Sequence, residues 1–163
     1  SVTDTDQGIH ESEWRIRSAR LAKASSLEQL NGLADQGFAW RDIARLLGVS
    51  VPALQKWRRG EGMSGDSRKR LADLAAACEL LMTHFYVEDV AGWFETPLIG
   101  GAPLTPMDLW VEGRVELLFD TAANNDPETV MNAVDPHWRV TYSSPFEVVR
   151  AADGQRSLQL RDE

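Results

Sequence analysis

Apolar residues recur every three or four positions along most of this chain, and that spacing predicts a protein built mainly from α-helices. A helix with mixed faces is expected from about Glu11 to Ala24, and a leucine-rich helix follows it over residues 26–36. Two short helices are predicted at residues 40–47 and 50–59. The longest periodic segment begins near Ser64 and continues to about Tyr86. The first half of the chain is therefore expected to be helical.

The pattern changes in the second half of the chain. A brief helix is predicted at residues 89–95, followed by a proline- and glycine-containing loop. A longer helix is expected to open at Thr105 and continue to about Ala122, and Asp126 opens another short one. From Trp138 onward the residues alternate and become β-branched, which predicts a small C-terminal β-hairpin or three short strands. The predicted fold class is therefore mainly α with a small C-terminal β-hairpin.

Residues 40–59, WRDIARLLGVSVPALQKWRR, have the features of a helix-turn-helix. Ala44 is small where two helices would touch, and Gly48 is suited to the left-handed conformation of a tight turn. Ser50 is placed to cap the second helix, and Pro52 is tolerated in its first turn. Apolar side chains are expected to fix the crossing angle: Ile43, Leu47, Val49, Leu54 and Trp57. The stretch therefore predicts a compact helical corner.

The outward face of the second helix in this corner is polar and basic. A DNA-recognition helix presents such a face to the major groove. Gln55 is predicted to contact adenine with two hydrogen bonds, and Lys56 or Arg59 to contact guanine. Ser50, Val51 and Ala53 are placed to approach a phosphate or a thymine methyl group. An ordinary amphipathic helix pair with solvated arginines is the alternative interpretation of the same stretch.

The distribution of charge favours the DNA-binding interpretation. Residues 38–71 carry eight basic and three acidic side chains, a net charge of +5, although the whole chain carries −8. The remainder of the chain therefore carries −13, which suggests one polyanionic partner and a second partner of different chemistry. Phosphate contacts suit five of the basic residues better than base contacts do: Arg41, Arg58, Arg68, Lys69 and Arg70. The predicted DNA-contacting residues are Arg41, Ser50, Val51, Gln55, Lys56, Arg58, Arg59, Arg68 and Lys69.

Residues 93–123 resemble the toxin-binding region of the Xre/MbcA/ParS antitoxins. The shared features are a tryptophan-led helix, a proline and glycine loop, a TP-x-D-L helix start and a following glycine. Here these features are supplied by Trp93, Pro97, Gly100, Gly101, Thr105, Pro106, Asp108, Leu109 and Gly113. A helix-turn-helix followed by a long helix also matches the order of elements in that family. The resemblance covers about residues 26–123.

The resemblance implies a small helical antitoxin of a type II toxin-antitoxin system. Such a protein dimerises, represses its own operon through an operator in double-stranded DNA, and neutralises a cognate toxin that consumes NAD or ADP-ribosylates a target. The partner-binding residues implied are Trp93, Pro97, Gly100, Gly101, Thr105, Asp108 and Trp110. From the residues alone, Thr105 and Asp108 also fit a simple helix cap, and most of the tryptophans fit a core. The alternative function is a stand-alone helix-turn-helix transcriptional regulator whose C-terminal region dimerises or senses a signal.

These assignments divide the chain into four predicted segments. They are an N-terminal extension with a helix (1–24), a helix-turn-helix DNA-binding domain (25–87), a helical domain similar to the antitoxin toxin-binding region (88–125), and a C-terminal extension with the hairpin (126–163). A homodimer is expected, because one helix in a single half-site seldom provides enough affinity. Its contacts are expected between residues 71–87 and 105–123.

The chain shows little that indicates catalysis. His10, His84 and His137 are far apart, and Cys78 is the single cysteine, so no metal-ligand spacing is present. We therefore predict no catalytic residues, no metal and no cofactor, although an enzyme with a pocket between the two halves is a third interpretation. Cys78 lies in an apolar run and is expected to be a buried thiol. No signal peptide or membrane span is evident, so a cytoplasmic protein without membrane contact is expected.

Overall fold

The computed structural model describes residues 2–143, 146–150 and 156–160, with side chains described over residues 8–143. The helices in these residues are α1 (Val2–Leu21), α2 (Ser26–Asp35), α3 (Trp40–Leu47), α4 (Val51–Arg58), α5 (Gly65–Thr83), α6 (Val90–Phe94), α7 (Pro106–Val111), α8 (Val115–Ala122), α9 (Pro127–Val134) and α10 (Trp138–Thr141). The predominantly helical character predicted from the sequence is confirmed.

Helix α5 is the central element of the fold. One long apolar side of it is buried, and the thiol of Cys78 lies fully within that buried side. Burial raises the pKa of the Cys78 thiol to about 12, so this side chain is neutral at physiological pH. The expectation of a buried structural thiol is confirmed. Four helices pack directly against α5: α1, α2, α3 and α6.

Helix α1 lies along α5 and is part of the packed body. The indole nitrogen of Trp14 donates a hydrogen bond to the backbone carbonyl of Asp73 at 2.8 Å. The Arg17 guanidinium contacts the Glu79 carboxylate at 2.9 Å. The helix begins at Val2, earlier than the start near Glu11 that the apolar spacing predicts. The contacts with α5 explain its stability, since polar helices rarely persist without tertiary packing.

The packing of α1 changes the prediction for the dimer interface. Helix α1 contacts both α5 and α8, and the apolar residues of these two helices are buried within a single copy of the chain. Leu74, Leu81 and Leu118 are among those side chains. The surfaces predicted to join two copies are therefore largely occupied within one copy, and a dimer would require other parts of these helices.

The helical corner at α3 and α4 has the predicted geometry. Gly48 ends α3 with a φ of 69° and a ψ of 33°, in the left-handed region. The Ser50 hydroxyl oxygen accepts a hydrogen bond from the backbone amide of Ala53 at 3.2 Å and caps α4. Ala44 and Leu54 are buried at the contact between the helices. The corner therefore holds α4 by its apolar side and leaves its polar side outward.

Replacing Gly48 with alanine should destabilise the protein by about 1 to 2 kcal/mol, because a residue with a Cβ atom is strained in the left-handed conformation. The new Cβ atom would also lie 3.3 Å from a guanidinium nitrogen of Arg70. Urea unfolding of the two chains measures the difference. Gly62→Ala is the matched control, since its Cβ atom would meet no neighbour and its φ is not positive. An equal loss in both variants would contradict the explanation.

The helix predicted over residues 105–122 is divided into two. Gly113 adopts a φ of 74° between α7 and α8, and this left-handed residue turns the chain. Helical spacing continues across the break, which is why the sequence pattern predicts a single helix. After α8, helix α9 buries Val130 and Met131 against it. The second half therefore forms a series of short helices in which consecutive helices pack on one another.

The sequence from Trp138 was predicted to form a strand, and this prediction is wrong. Residues 138–141 form α10, and the Trp138 side chain is buried. Its indole nitrogen donates a hydrogen bond to the Asn132 amide oxygen at 3.0 Å. Packing of this large side chain against α9 outweighs the β-propensity of the valine and threonine that follow.

The predicted fold class is corrected at its last element, the C-terminal β-hairpin. Residues 2–143 contain helices and connecting segments without strands. Beyond them, only the backbones of β1 (Phe146–Arg150) and β2 (Arg156–Leu160) pair, in antiparallel register. Residues 151–155, between these two strands, lie outside the described residues. An isolated pair of strands this short is at best marginally stable in water, so a hairpin is not supported as an element of the fold.

Candidate nucleic-acid interface

The outward side of α4 is an exposed basic surface, which we call the α4 face and define as Ser50, Val51, Gln55, Lys56 and Arg59. Lys56 and Arg59 are exposed, Val51 is 39% exposed, and Gln55 is half-buried. Arg59 approaches the Glu61 carboxylate at 3.5 Å, a loose surface pair that leaves the guanidinium accessible. The structure therefore brings these five predicted residues together on one accessible surface.

Arg58 is held in place by two neighbours. Its guanidinium carbon lies 3.8 Å from the centre of the Trp40 ring, within the range of a cation–π interaction. One of its terminal nitrogens donates a hydrogen bond to the side-chain oxygen of Gln55 at 2.8 Å. The sequence predicted Arg58 as a free phosphate contact and did not include Trp40. A tryptophan in the first turn of the preceding helix was the one available signal.

The remaining basic residues divide into accessible and paired ones. Arg41, Arg68 and Lys69 are exposed, as a phosphate contact requires, and Arg68 lines a shallow pocket beside the end of α4. Arg45 instead pairs with Asp108 at 2.7 Å. Arg70 donates to the Leu47 carbonyl at 3.2 Å and pairs with Asp66. Part of the basic charge in this segment therefore supports the helical corner, and the rest faces solvent.

The residues predicted to bind a partner protein lie in two places. Trp93 and Pro97 line a shallow pocket of about 230 Å³ together with residues from α8 and α9. Gly100 and Gly101 lie in the exposed loop before α7, where Gly101 has a φ of 87°. Thr105 begins α7 as part of a capping box with Asp108. Both the pocket and the loop face solvent.

Asp108 and Trp110 face the helical corner as well. The Asp108 carboxylate accepts a hydrogen bond from the Arg45 guanidinium, and the Trp110 indole nitrogen donates to the carbonyl of Leu46 at 2.9 Å. Trp110 also packs edge-on against Trp14 of α1. These two side chains join α7 to α3, a structural role that the sequence does not reveal because their partners lie about sixty residues away.

The environment of Asp108 controls its charge. Partial burial acts to raise the pKa of this carboxyl group, but hydrogen bonds from Arg45 and Thr105 outweigh burial and hold the pKa below its usual value. The stability that this lowered pKa contributes is present above the ordinary aspartate pKa of about 4 and is lost as the pH falls through the lower folded-state value. The link between α7 and α3 therefore weakens in acid.

Arg45→Met should have a smaller free energy of unfolding than the wild-type chain at pH 7. This difference should disappear in acid. The expected reason is that protonated Asp108 gains little from the guanidinium. Urea unfolding of both chains from neutral pH to below pH 4 measures the effect. Arg41→Met removes an exposed arginine from the same helix and serves as the control. Its difference from the wild-type chain in free energy of unfolding should not change as Asp108 titrates. A pH-independent deficit in Arg45→Met would contradict the assignment.

Comparison with known proteins found no matching family model, no similar curated protein and no similar solved structure. Among the described residues, no helix has the length and apolar character needed to cross a membrane. Within the same part of the chain, histidine, cysteine and carboxylate side chains do not come together in a group suited to a metal ion. The geometry of the α4 face is therefore the main basis for a functional assignment.

Proposed function

We propose that this protein binds double-stranded DNA through the α4 face and acts as a transcriptional regulator. The single observation that carries the proposal is the exposure of Lys56 and Arg59 on a helix fixed by a capped, glycine-turned corner. Two exposed cations on a recognition-like helix suit base edges and phosphates in a major groove. The remainder of the chain carries a net charge of −13, which disfavours DNA binding elsewhere on the protein.

Selection from a pool of DNA duplexes with randomised central sequence tests this proposal. The full chain should enrich a defined sequence, and the enriched duplex should bind more tightly than an unselected one. If two copies bind together, the enriched sequence should be a pair of inverted half-sites, since dimer symmetry is mirrored in the operator. Failure to enrich any sequence would refute sequence-specific DNA binding.

We further propose that the regulator is an antitoxin that represses its own operon and neutralises a cognate toxin. Support comes from the resemblance of residues 93–123 to the Xre/MbcA/ParS toxin-binding region. The pocket beside Trp93 and Pro97 and the loop at Gly100 and Gly101 offer an accessible surface for a protein partner. On the same resemblance, the partner consumes NAD or ADP-ribosylates a target, and the antitoxin acts by binding without catalysis of its own.

A stand-alone regulator is the second candidate, and one observation favours it. Asp108 and Trp110, two of the residues implied in toxin binding, hold α7 on α3. In a stand-alone regulator the second helical region would stabilise the helical corner and would not bind a toxin. Both candidates require the same DNA-binding surface.

Co-expression with the product of the neighbouring gene separates the two candidates. An antitoxin should purify with that product in a fixed ratio and relieve its toxicity. Substitution of Trp93 by alanine should weaken the complex while leaving DNA binding intact, because the pocket that Trp93 lines contains no residue of α4. A neighbouring product that is neither toxic nor bound would favour the stand-alone regulator.

A further inference from the structure

The contact between Trp40, Arg58 and Gln55 connects the first turn of α3 to the middle of the α4 face. Trp40 is half-buried, and its ring carries the Arg58 guanidinium on one side. Arg58 lies one helical turn after Gln55 and donates to its side-chain oxygen. The three side chains form a ladder from the protein body to the surface. This inference rests on the DNA-binding function proposed above.

The ladder determines which end of the Gln55 amide is free. A guanidinium has donors and no acceptor, so the Gln55 atom that meets Arg58 must be the oxygen. The amide nitrogen, with its two N–H groups, is left on the outer side. In the described part of the chain no acceptor takes a hydrogen bond from this nitrogen. Gln55 therefore presents donors to a bound ligand, and the remaining N–H groups of Arg58 add further donors beside it.

A protein surface that presents only hydrogen-bond donors matches the four bases in a major groove to different degrees. Guanine offers two acceptors there, N7 and O6, with no donor beside them. Adenine pairs its N7 acceptor with an amino group, thymine places a methyl group beside its one acceptor, and cytosine offers an amino donor. Guanine is therefore the base that Gln55 and Arg58 match together, in place of the adenine that an unconstrained glutamine prefers.

We propose that Trp40 is a positioning residue for base readout, which holds Arg58 and through it orients Gln55 to select guanine. Trp40 acts without touching a base. Stacking on a rigid ring limits the conformations of a long, flexible arginine, so less entropy is lost when DNA binds. Lysine at position 58 would keep the charge but lose the planar group that both stacks and donates in a fixed direction.

Duplex selection with four variants and one control variant tests the ladder. Gln55→Ala identifies the position in the site that this residue contacts, where the wild-type chain should select guanine. Trp40→Leu and Arg58→Lys should lose selectivity at that same position by about tenfold, the scale of one well-placed base contact. Trp40→Phe should keep the preference, since it retains an aromatic face. Arg68→Lys is the control for a charge-preserving change at a phosphate contact and should alter no base preference.

Each outcome bears on the ladder or on the proposed function separately. Selection of no sequence by the wild-type chain would refute the proposed function. Unchanged guanine preference in Trp40→Leu or Arg58→Lys, or an equal loss of affinity for all duplexes, would overturn the ladder while leaving DNA binding intact. Adenine at the Gln55 position would also overturn it. Arg58 is exposed, so Arg58→Lys gives a result even if circular dichroism shows that Trp40→Leu does not fold.

Discussion

Lys56→Ala and Arg59→Ala should each weaken binding to the selected duplex by about 1 to 3 kcal/mol, or about five- to 150-fold in affinity. Both side chains are exposed on the α4 face and project from a helix that the Ser50 cap and the Gly48 turn hold in place. Little energy is therefore needed to arrange them when DNA binds. Fluorescence anisotropy titrations with the selected and an unselected duplex measure the effect.

The comparison between the two duplexes is what assigns a role to each residue. Removal of a base contact lowers the affinity for the selected duplex more than the affinity for the unselected one. Removal of a phosphate contact lowers both affinities equally. Arg15→Ala is the charge-matched control, since Arg15 is exposed on α1 and pairs with Glu11 of its own helix at 3.5 Å. Equal losses for Lys56→Ala, Arg59→Ala and Arg15→Ala would show that net charge, and not the α4 face, controls binding.

Leu54→Ala should destabilise the whole fold by about 2 to 5 kcal/mol. Leu54 is the one residue of α4 that is completely buried, and it anchors the recognition-like helix to the body of the protein. Alanine there would remove apolar contacts and leave a cavity that surrounding helices fill only in part. Urea or thermal unfolding of the full chain provides the measurement.

Val51→Ala provides the matched control on the same helix. Val51 is 39% exposed, so its shortening should change stability by no more than about 0.5 kcal/mol. The pair also separates stability from function, because Val51→Ala is expected to lose a thymine methyl contact without unfolding. A small loss in Leu54→Ala would mean that α4 is not held by this side chain, and the rigidity of the α4 face would need another explanation.

Local sequence signals explain what could be predicted. The helical corner was predictable because its determinants are short-range: a left-handed glycine at Gly48, a cap at Ser50, and apolar side chains spaced to meet. Exposure of Lys56 and Arg59 follows from the same spacing. The capping box of Thr105 and Asp108 was predictable for the same reason, since three residues separate its members.

Long-range contacts explain what could not be predicted. The pair between Arg45 and Asp108 and the stacking of Arg58 on Trp40 depend on tertiary packing that periodicity does not contain. The strand predicted at Trp138 failed because burial of one indole against α9 outweighed local β-propensity.

The central claim is that the α4 face meets the phosphates and bases of a DNA duplex. The most direct measurement is the affinity of the full chain for its selected duplex over a series of salt concentrations. If about five phosphates are neutralised, affinity should fall with about the fourth to fifth power of salt concentration, and Lys56→Ala with Arg59→Ala should make this dependence shallower. Absence of binding to any duplex at low salt, or an affinity that does not change with salt, would contradict the claim.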